Sequence, residues 1–516
     1  MKRGALPMWA LAVLIAAVAA AVAAGGPPIG SKVDASQAGP AFSSSTPAAA
    51  YDSQLDRYLV VWQRFAPPSG DHEIWGRFVD AGGSAAGVTF QISNVDDGDA
   101  TDPDVVYNAA AQRYLVAWSV VATQSGLGLV EGQLLTATGA QQGTDFPIST
   151  DPGSGPSVTW GSAANEYLVV WTGAGAVRGQ RLTPAGAQVG VDDFSISGAS
   201  GGGAENRNDV VYNDVADEYL VAWQGVDATT PDPNDLDVFG QRLDLLGTQV
   251  GVDDFRISNL HGAFNVALAY NDVGNEYLAV FSGIDSPQPP QETEIFGQRL
   301  DALGTELGAD DFRLSSMGPD GNAFAGVHEN GVAYSVAGDE YLVVWEGDDD
   351  TLQAPQSEFE TFGQQISSAG LEIGADDYRI SDMGNVGDTS GGAFNPAIAY
   401  GEMPNEFLVA WQGFEPGVAK FEVFVRRVRG GAGCTIKGTP GKDFLPGTDG
   451  PDTICGFGGG DVLVGGAGDD VLLGGGGNDV LTGGPGEDRL VGGSGNDVGD
   501  GGPDPDHCLT EVQAGC

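Results

Sequence analysis

The chain has 516 residues, 71 Asp and Glu against 22 Lys and Arg, and a formal net charge of -49. Such acidity opposes binding to nucleic acid or to an anionic membrane surface and favours cations as partners. At ~100–200 residues per domain the length allows three or four domains, or fewer if the chain is built of repeats.

The N-terminus reads as a secretion signal, residues 1–24. Lys2 and Arg3 form a basic start, and an apolar run from Met8 to Ala24 contains the small-residue sequence Ala21-Val22-Ala23. An uncleaved anchor helix is the alternative, although the run is marginal for a bilayer of ~30 Å. After cleavage no membrane span is expected. The protein is expected to be secreted, extracellular or at the cell surface.

A long repeat fills residues 29–430. Its marker is Tyr58-Leu-Val-Val-Trp62, which returns at Tyr114–Trp118, Tyr167–Trp171, Tyr219–Trp223, Tyr277–Phe281, Tyr341–Trp345 and Phe407–Trp411, seven copies spaced 52 to 66 residues apart. Each unit holds four strand signals, short and rich in β-branched and aromatic residues; in the fourth copy they are Asp209–Tyr212, Glu218–Trp223, Val238–Leu243 and Phe255–Ser258. Four strands per repeat is the composition of a propeller blade. The fourth-strand signal occurs only six times, and Gly30–Ser36 precedes the first unit as the others precede theirs. Residues 29–36 are therefore expected to complete the blade of Phe407–Trp411 and close the ring, which removes open sheet edges.

Turns between first and second strands, and between third and fourth, vary little in length; the opposite loops vary strongly and should form the recognition face. That face is acidic, with Asp96, Asp97, Asp99 and Asp102, then Asp348, Asp349 and Asp350. The pairs Asp192-Asp193, Asp253-Asp254, Asp310-Asp311 and Asp376-Asp377 recur in phase and are read as turn chemistry. No His-Glu-x-x-His or phosphate loop is present, and the four histidines are His72, His261, His328 and His507. The unit resembles repeats of secreted bacterial proteins with Tyr-Leu-Val-Val-Trp followed by Phe-Gly-Gln-Arg-Leu; this resemblance implies a fold and no activity.

Residues 435–506 are eight nonapeptides without insertion. Asp443, Asp452, Asp461, Asp470, Asp479, Asp488, Asp497 and Asp506 close them, and a Gly lies five residues before each. Gly-Gly-x-Gly-x-Asp forms a turn in which Gly takes the positive-φ positions. The remaining three residues form a minimal strand with its middle side chain inward. Two units make one coil, so each Asp stacks on the Asp 18 residues later. Carboxylates stacked at about 4.8 Å repel unless a hard cation lies among them, and turn carbonyls can complete an oxygen shell for Ca²⁺. All eight are candidate metal ligands. Gly438–Asp443 and Gly447–Asp452 lack the second Gly, and Gly501–Asp506 lacks the later one, so these end units are candidates for caps. The stretch resembles the hemolysin-type (RTX) calcium-binding repeats of secreted bacterial proteins, which implies a parallel β-roll with Ca²⁺ as its cofactor. Toxins of that class use a C-terminal signal, so the N-terminal signal here implies another export route.

Cys434, Cys455, Cys508 and Cys516 lie at or near the roll. Of three pairings, Cys434–Cys455 and Cys508–Cys516 are favoured because they are local and pin each end, the second within a tail at 507–516. The sequence thus predicts an all-β protein, a seven-bladed propeller followed by a parallel roll. Its expected function is that of a secreted, calcium-binding, non-catalytic recognition or surface protein, with a glycan or protein ligand on the variable-loop face. The alternative is a secreted polysaccharide hydrolase or lyase acting on that face through His261 or His328 and loop acids.

Overall fold

A computed structural model describes residues 28–37, 42–66, 70–94, 98–121, 128–173, 175–198, 207–226, 236–260, 262–284, 293–317, 327–348, 359–384, 391–402, 405–416, 418, 420–431, 434–439, 441–510 and 512–515. The signal segment, His261, Asp96, Asp97, Asp349, Asp350 and Cys516 lie outside the described residues. Among the described residues every element is a strand, and no helix is long and apolar enough to cross a membrane.

Seven four-stranded antiparallel sheets form the propeller. Blades 1 to 6 span 43–91, 99–147, 154–195, 208–256, 264–313 and 327–379. Blade 7 orders its strands Gly392–Gly401, Glu406–Phe414, Glu422–Arg429 and then Pro28–Asp34. The N-terminal strand runs antiparallel to Glu422–Arg429, with Pro28 opposite Val428 and Val33 opposite Val425, so the last sheet contains both ends of the ring.

Each marker strand alternates its side chains between two neighbours, as the pleat requires. Tyr58, Val60 and Trp62 pack against Leu408, Ala410 and Val423 of blade 7, whereas Leu59 and Val61 pack against Tyr114, Val116 and Trp118 of blade 2. All five are fully buried. At about 25 cal/mol per Å² of apolar area removed from water, these inter-blade layers are the main source of cohesion.

The charged part of the repeat is also structural. The Arg of the Gly-Gln-Arg-Leu strand pairs with the Glu that opens the marker strand: Arg181 with Glu166 at 2.6 Å, Arg242 with Glu218 and Arg299 with Glu276 at 2.5 Å. The preceding Gln is buried; Gln241 donates to the carbonyls of Arg242 and Val250 and accepts the amide of Asp254. The Asp pairs differ from the sequence reading. They lie inside the fourth strands, not in turns. The second Asp of each has positive φ at a register shift, which a period-two pattern does not reveal. Its Oδ2 accepts an amide of the preceding blade: Asp193 from Thr150, Asp254 from Gly198, Asp311 from Asn259, Asp377 from Ser316. These carboxylates hold blade to blade.

The roll is a parallel solenoid of two five-stranded sheets. One contains Ile436–Lys437, Thr453–Cys455, Val471–Gly476, Arg489–Ser494 and His507–Leu509. The other contains Phe444–Pro446, Val462–Val464, Val480–Thr482, Val498–Asp500 and Val512–Ala514. The 18-residue register holds at Ile454, Leu472 and Leu490, and at Leu445, Leu463 and Leu481, which form one buried column between the sheets. Residues 507–514, read from the sequence as a tail, add one strand to each sheet, and Val512 stacks on Val498 through a shortened final coil. Cys434 and Cys455 are disulfide-bonded with Cα atoms 5.8 Å apart. The other expected pair involves Cys516, outside the described residues.

The first roll sheet lies on the propeller face formed by the turns between first and second strands. Cys455, Leu473 and Val491 pack with Val273 of blade 5 and Val336 and Ala337 of blade 6. The connecting chain is tied down: the Gly431 amide donates to Glu340, and Gln365 donates to the Arg429 carbonyl.

Candidate functional site

In the complete Gly-Gly-x-Gly-x-Asp turns of the roll, the second and fourth residues have positive φ: Gly466 and Gly468, Gly475 and Gly477, Gly484 and Gly486, Gly493 and Gly495. A Cβ at Gly477 would overlap the Gly459 carbonyl in the turn below, so stacking itself demands glycine there. The first Gly has another role. A Cβ on Gly474 would lie 2.6 Å from both Asp479 Oδ2 and the Gly492 carbonyl oxygen, so its absence leaves room for the carboxylate.

From Asp461 onward each Asp side chain reaches back one coil. The amides of Asp443, Asp452, Asp461, Asp470, Asp479 and Asp488 donate to Oδ1 of Asp461, Asp470, Asp479, Asp488, Asp497 and Asp506 at 2.7–2.9 Å. Asp461, Asp470, Asp479, Asp488 and Asp497 are at most 2% exposed. Oδ2 of Asp461, Asp470, Asp479, Asp488 and Asp506 is buried with no hydrogen-bond partner. A buried, unsatisfied carboxylate oxygen costs several kcal/mol unless something positive meets it.

The first two repeats differ. Asp443 Oδ2 accepts from the Thr439 amide and hydroxyl at 2.6 and 2.7 Å, and Asp452 Oδ2 from those of Thr448 at 2.7 and 2.8 Å. Both Thr occupy the second-Gly position, so a hydroxyl fills the place left open in the later turns. The Thr448 hydroxyl holds Asp452 below the usual carboxylate range. Burial pushes Asp461, Asp470 and Asp488 up, and Asp479 up to about 6, with the Asp497 and Asp461 charges adding to the burial effect.

Among the described residues no three His, Cys, Asp or Glu side chains converge as a metal cluster. The donors these turns offer are one carboxylate oxygen per turn and backbone carbonyls, a set suited to Ca²⁺ and unsuited to soft metals. The orphaned Oδ2 atoms and the glycine-cleared space fit that ion.

At the opposite end of the propeller axis, the starts of the innermost strands surround a cavity of about 690 Å³. One position there breaks the pseudo-symmetry. Facing Val61, Ala117, Val170, Ala222, Val280, Val344 and Ala410 stand Ala48, Asp104, Ser157, Asp209, Ala267, Gly331 and Ala397. Three consecutive blades thus carry Asp-Ser-Asp where the other four carry Ala or Gly. The Ser157 hydroxyl donates to Asp209 at 2.9 Å; Asp104 accepts the Val158 amide and Asp209 the Leu268 amide. Burial raises Asp104 to about 7 and Asp209 to about 6. Arg207 and Glu329 pair across the same mouth at 2.5 Å.

The sequence reading of this face needs revision. His72 bonds Asp99 at 3.0 Å, and Asp348 is buried, not displayed. His261 and the His328 side chain lie outside the described residues. The Asp-Ser-Asp set was missed because its phase is visible only once the inner strands are in register.

Comparison with known proteins agrees with the geometry of the roll. The model of the RTX calcium-binding nonapeptide repeat matches residues 437–472, 464–498 and 473–507, so this part of the chain consists of such repeats. No curated protein matches. Among solved structures, a protein of unknown function from Dyadobacter fermentans is 11% identical with a TM-score of 0.45, over 78% of this chain and 98% of that one. An α-L-arabinofuranosidase from Fusarium graminearum is 14% identical with a TM-score of 0.45, over 78% and 98%. An endo-arabinase from Bacteroides thetaiotaomicron is 14% identical with a TM-score of 0.34, over 52% and 92%. These matches correct the expectation of a non-catalytic protein: the solved structures matched to this chain include glycoside hydrolases. At such identities the likeness is one of fold, and it brings no substrate and no catalytic residue.

Proposed function

We propose that the roll binds Ca²⁺ between turns stacked 18 residues apart and that calcium completes its fold in an extracellular setting. The observation that carries this reading is the row of buried Oδ2 atoms on Asp461, Asp470, Asp479 and Asp488 without partners. These residues, with Asp497 and Asp506, would hold the ion; Asp443 and Asp452 are already engaged by Thr439 and Thr448. Bound calcium supplies positive charge to carboxylates that cannot otherwise be buried together. The chain's own part is to present Oδ2, to fix each carboxylate through its Oδ1 hydrogen bond, and to leave glycine-cleared carbonyls around it. The Cys434–Cys455 disulfide supports an oxidising, extracellular compartment. Calorimetric titration of the chelator-treated full chain tests the reading: saturable calcium binding is expected, and no binding heat at millimolar calcium would exclude it.

A second reading concerns the propeller. The Asp104–Ser157–Asp209 set favours a polysaccharide hydrolase or lyase with its site at the axial mouth. Two carboxyls raised by burial to about 7 and about 6 can hold a proton near neutral pH, as a general acid must. Incubation with a panel of plant and bacterial glycans, followed by product analysis, tests it. Products lost in Asp104→Asn support the reading; an inert wild-type protein across the panel removes it.

A further inference from the structure

The first roll sheet faces one end of the propeller axis. Each blade contributes one aromatic ring there at the same register: Tyr51, Tyr107, Trp160, Tyr212, Tyr270, Tyr334 and Tyr400 stand opposite the first residue of the marker strands. A cavity of about 1120 Å³ lies between these rings and the first roll sheet. Arg489 is the one cation in the strand triplets of the described third to fifth coils. Its guanidinium donates to the Tyr334 hydroxyl at 3.3 Å and to the Val336 carbonyl at 3.2 Å, with the Asp339 carboxylate 3.9 Å away. Its own amide donates to the Asp470 carbonyl at 2.8 Å, and it follows Asp488 directly in the chain. The contact with blade 6 therefore starts from the backbone of the Asp470/Asp488 column.

We propose that the roll is a calcium-set cover for this end of the propeller: ordering of the Asp470/Asp488 turns fixes Arg489 and the Cys455–Leu473–Val491 surface against blades 5 and 6, and this closes the chamber over the aromatic ring. This rests on the calcium reading above. A surface assembled only in the folded roll can dock only when the roll is folded, so calcium binding and docking share one equilibrium. Linkage makes the effect reciprocal: calcium strengthens docking, and docking strengthens calcium binding by the same factor. Arg489 is a positioning residue, since it supplies no oxygen to the ion.

The test uses the full chain, with hydrogen exchange at 270–274 and 334–339 and calorimetric calcium titration, on wild type, Arg489→Glu and Arg489→Lys. In the wild type, calcium should slow exchange in both propeller turns. Arg489→Glu should keep the calcium stoichiometry, bind about tenfold more weakly and lose the calcium-dependent protection; Arg489→Lys should retain most of it. If the wild type binds calcium and its turns exchange at the same rate with and without the ion, the cover is wrong while the calcium sites stand. Wild-type affinity and turn protection in Arg489→Glu also overturn it. A wild type that binds no calcium overturns both proposals.

Discussion

Asp479 Oδ1 accepts the amide of Asp461 at 2.7 Å, and the amide of Asp479 donates to Asp497 in the same way. The middle carboxylate of this column thus belongs to two stacked pairs at once, and its Oδ2 stays buried with no partner.

Asp479→Asn keeps the shape and removes the charge. Because Asp479 is shared by the pairs with Asp461 and Asp497, calcium stoichiometry should fall by about two sites, whereas Asp452→Asn, whose Oδ2 is held by Thr448, should change it by none. Calorimetric titration of both variants checks this; equal losses would mean the sites are not shared between turns.

The pH dependence has a definite sign. Burial raises Asp479 to about 6, above its ordinary 3.8, so ionisation works against the calcium-free fold. Its contribution to stability without calcium is fully present below about pH 4 and is lost as pH rises through about 6. Calcium needs the ionised form, so affinity should rise over the same window. Thermal melts in chelator at pH 4.5 and 7.5 should show the roll more stable at the lower pH, and saturating calcium should reverse that order.

Glycine positions in the turns are not equivalent. Gly477 has φ +133° and would drive a Cβ into Gly459, whereas Gly450 has open space around the same position. Gly477→Ala should destabilise the roll by about 3 kcal/mol or more, from strain and overlap together. Gly450→Ala should stay within about 0.5 kcal/mol of wild type. Calcium-loaded melts of the two variants measure the difference.

Much of this architecture is legible in the sequence because strict periodicity has a physical cause. Asp every nine residues and Gly at fixed offsets can persist only where turns stack, and a Tyr-Leu-Val-Val-Trp strand buried on both sides leaves no polar alternation to confuse it. The Thr for Gly exchange at Thr439 and Thr448 is visible too, although what the hydroxyl does emerges only from its bonds to Asp443 and Asp452. The docking face of the roll is not legible. Cys455, Leu473 and Val491 look like the third residue of any triplet, and nothing local distinguishes the sheet that meets the propeller. The Asp254-type residues look like turn residues in the sequence because positive φ at a bulge interrupts the period-two pattern on which strand recognition rests.

Removal of residues 28–36 should lower the melting temperature of the propeller by several degrees. The Val33 side chain and the Ala35 amide bonded to the Val423 carbonyl are lost together, and the outer edge of Glu422–Arg429 is opened. An unchanged melt would show that the ring does not depend on its N-terminal strand.

The most direct measurement is anomalous diffraction from crystals grown in calcium. Peaks are expected about 2.3–2.6 Å from Oδ2 of Asp461, Asp470, Asp479 and Asp488, between turns 18 residues apart. Ordered crystals without such peaks, or with calcium bound only away from these carboxylates, would contradict the claim that the roll is held together by calcium.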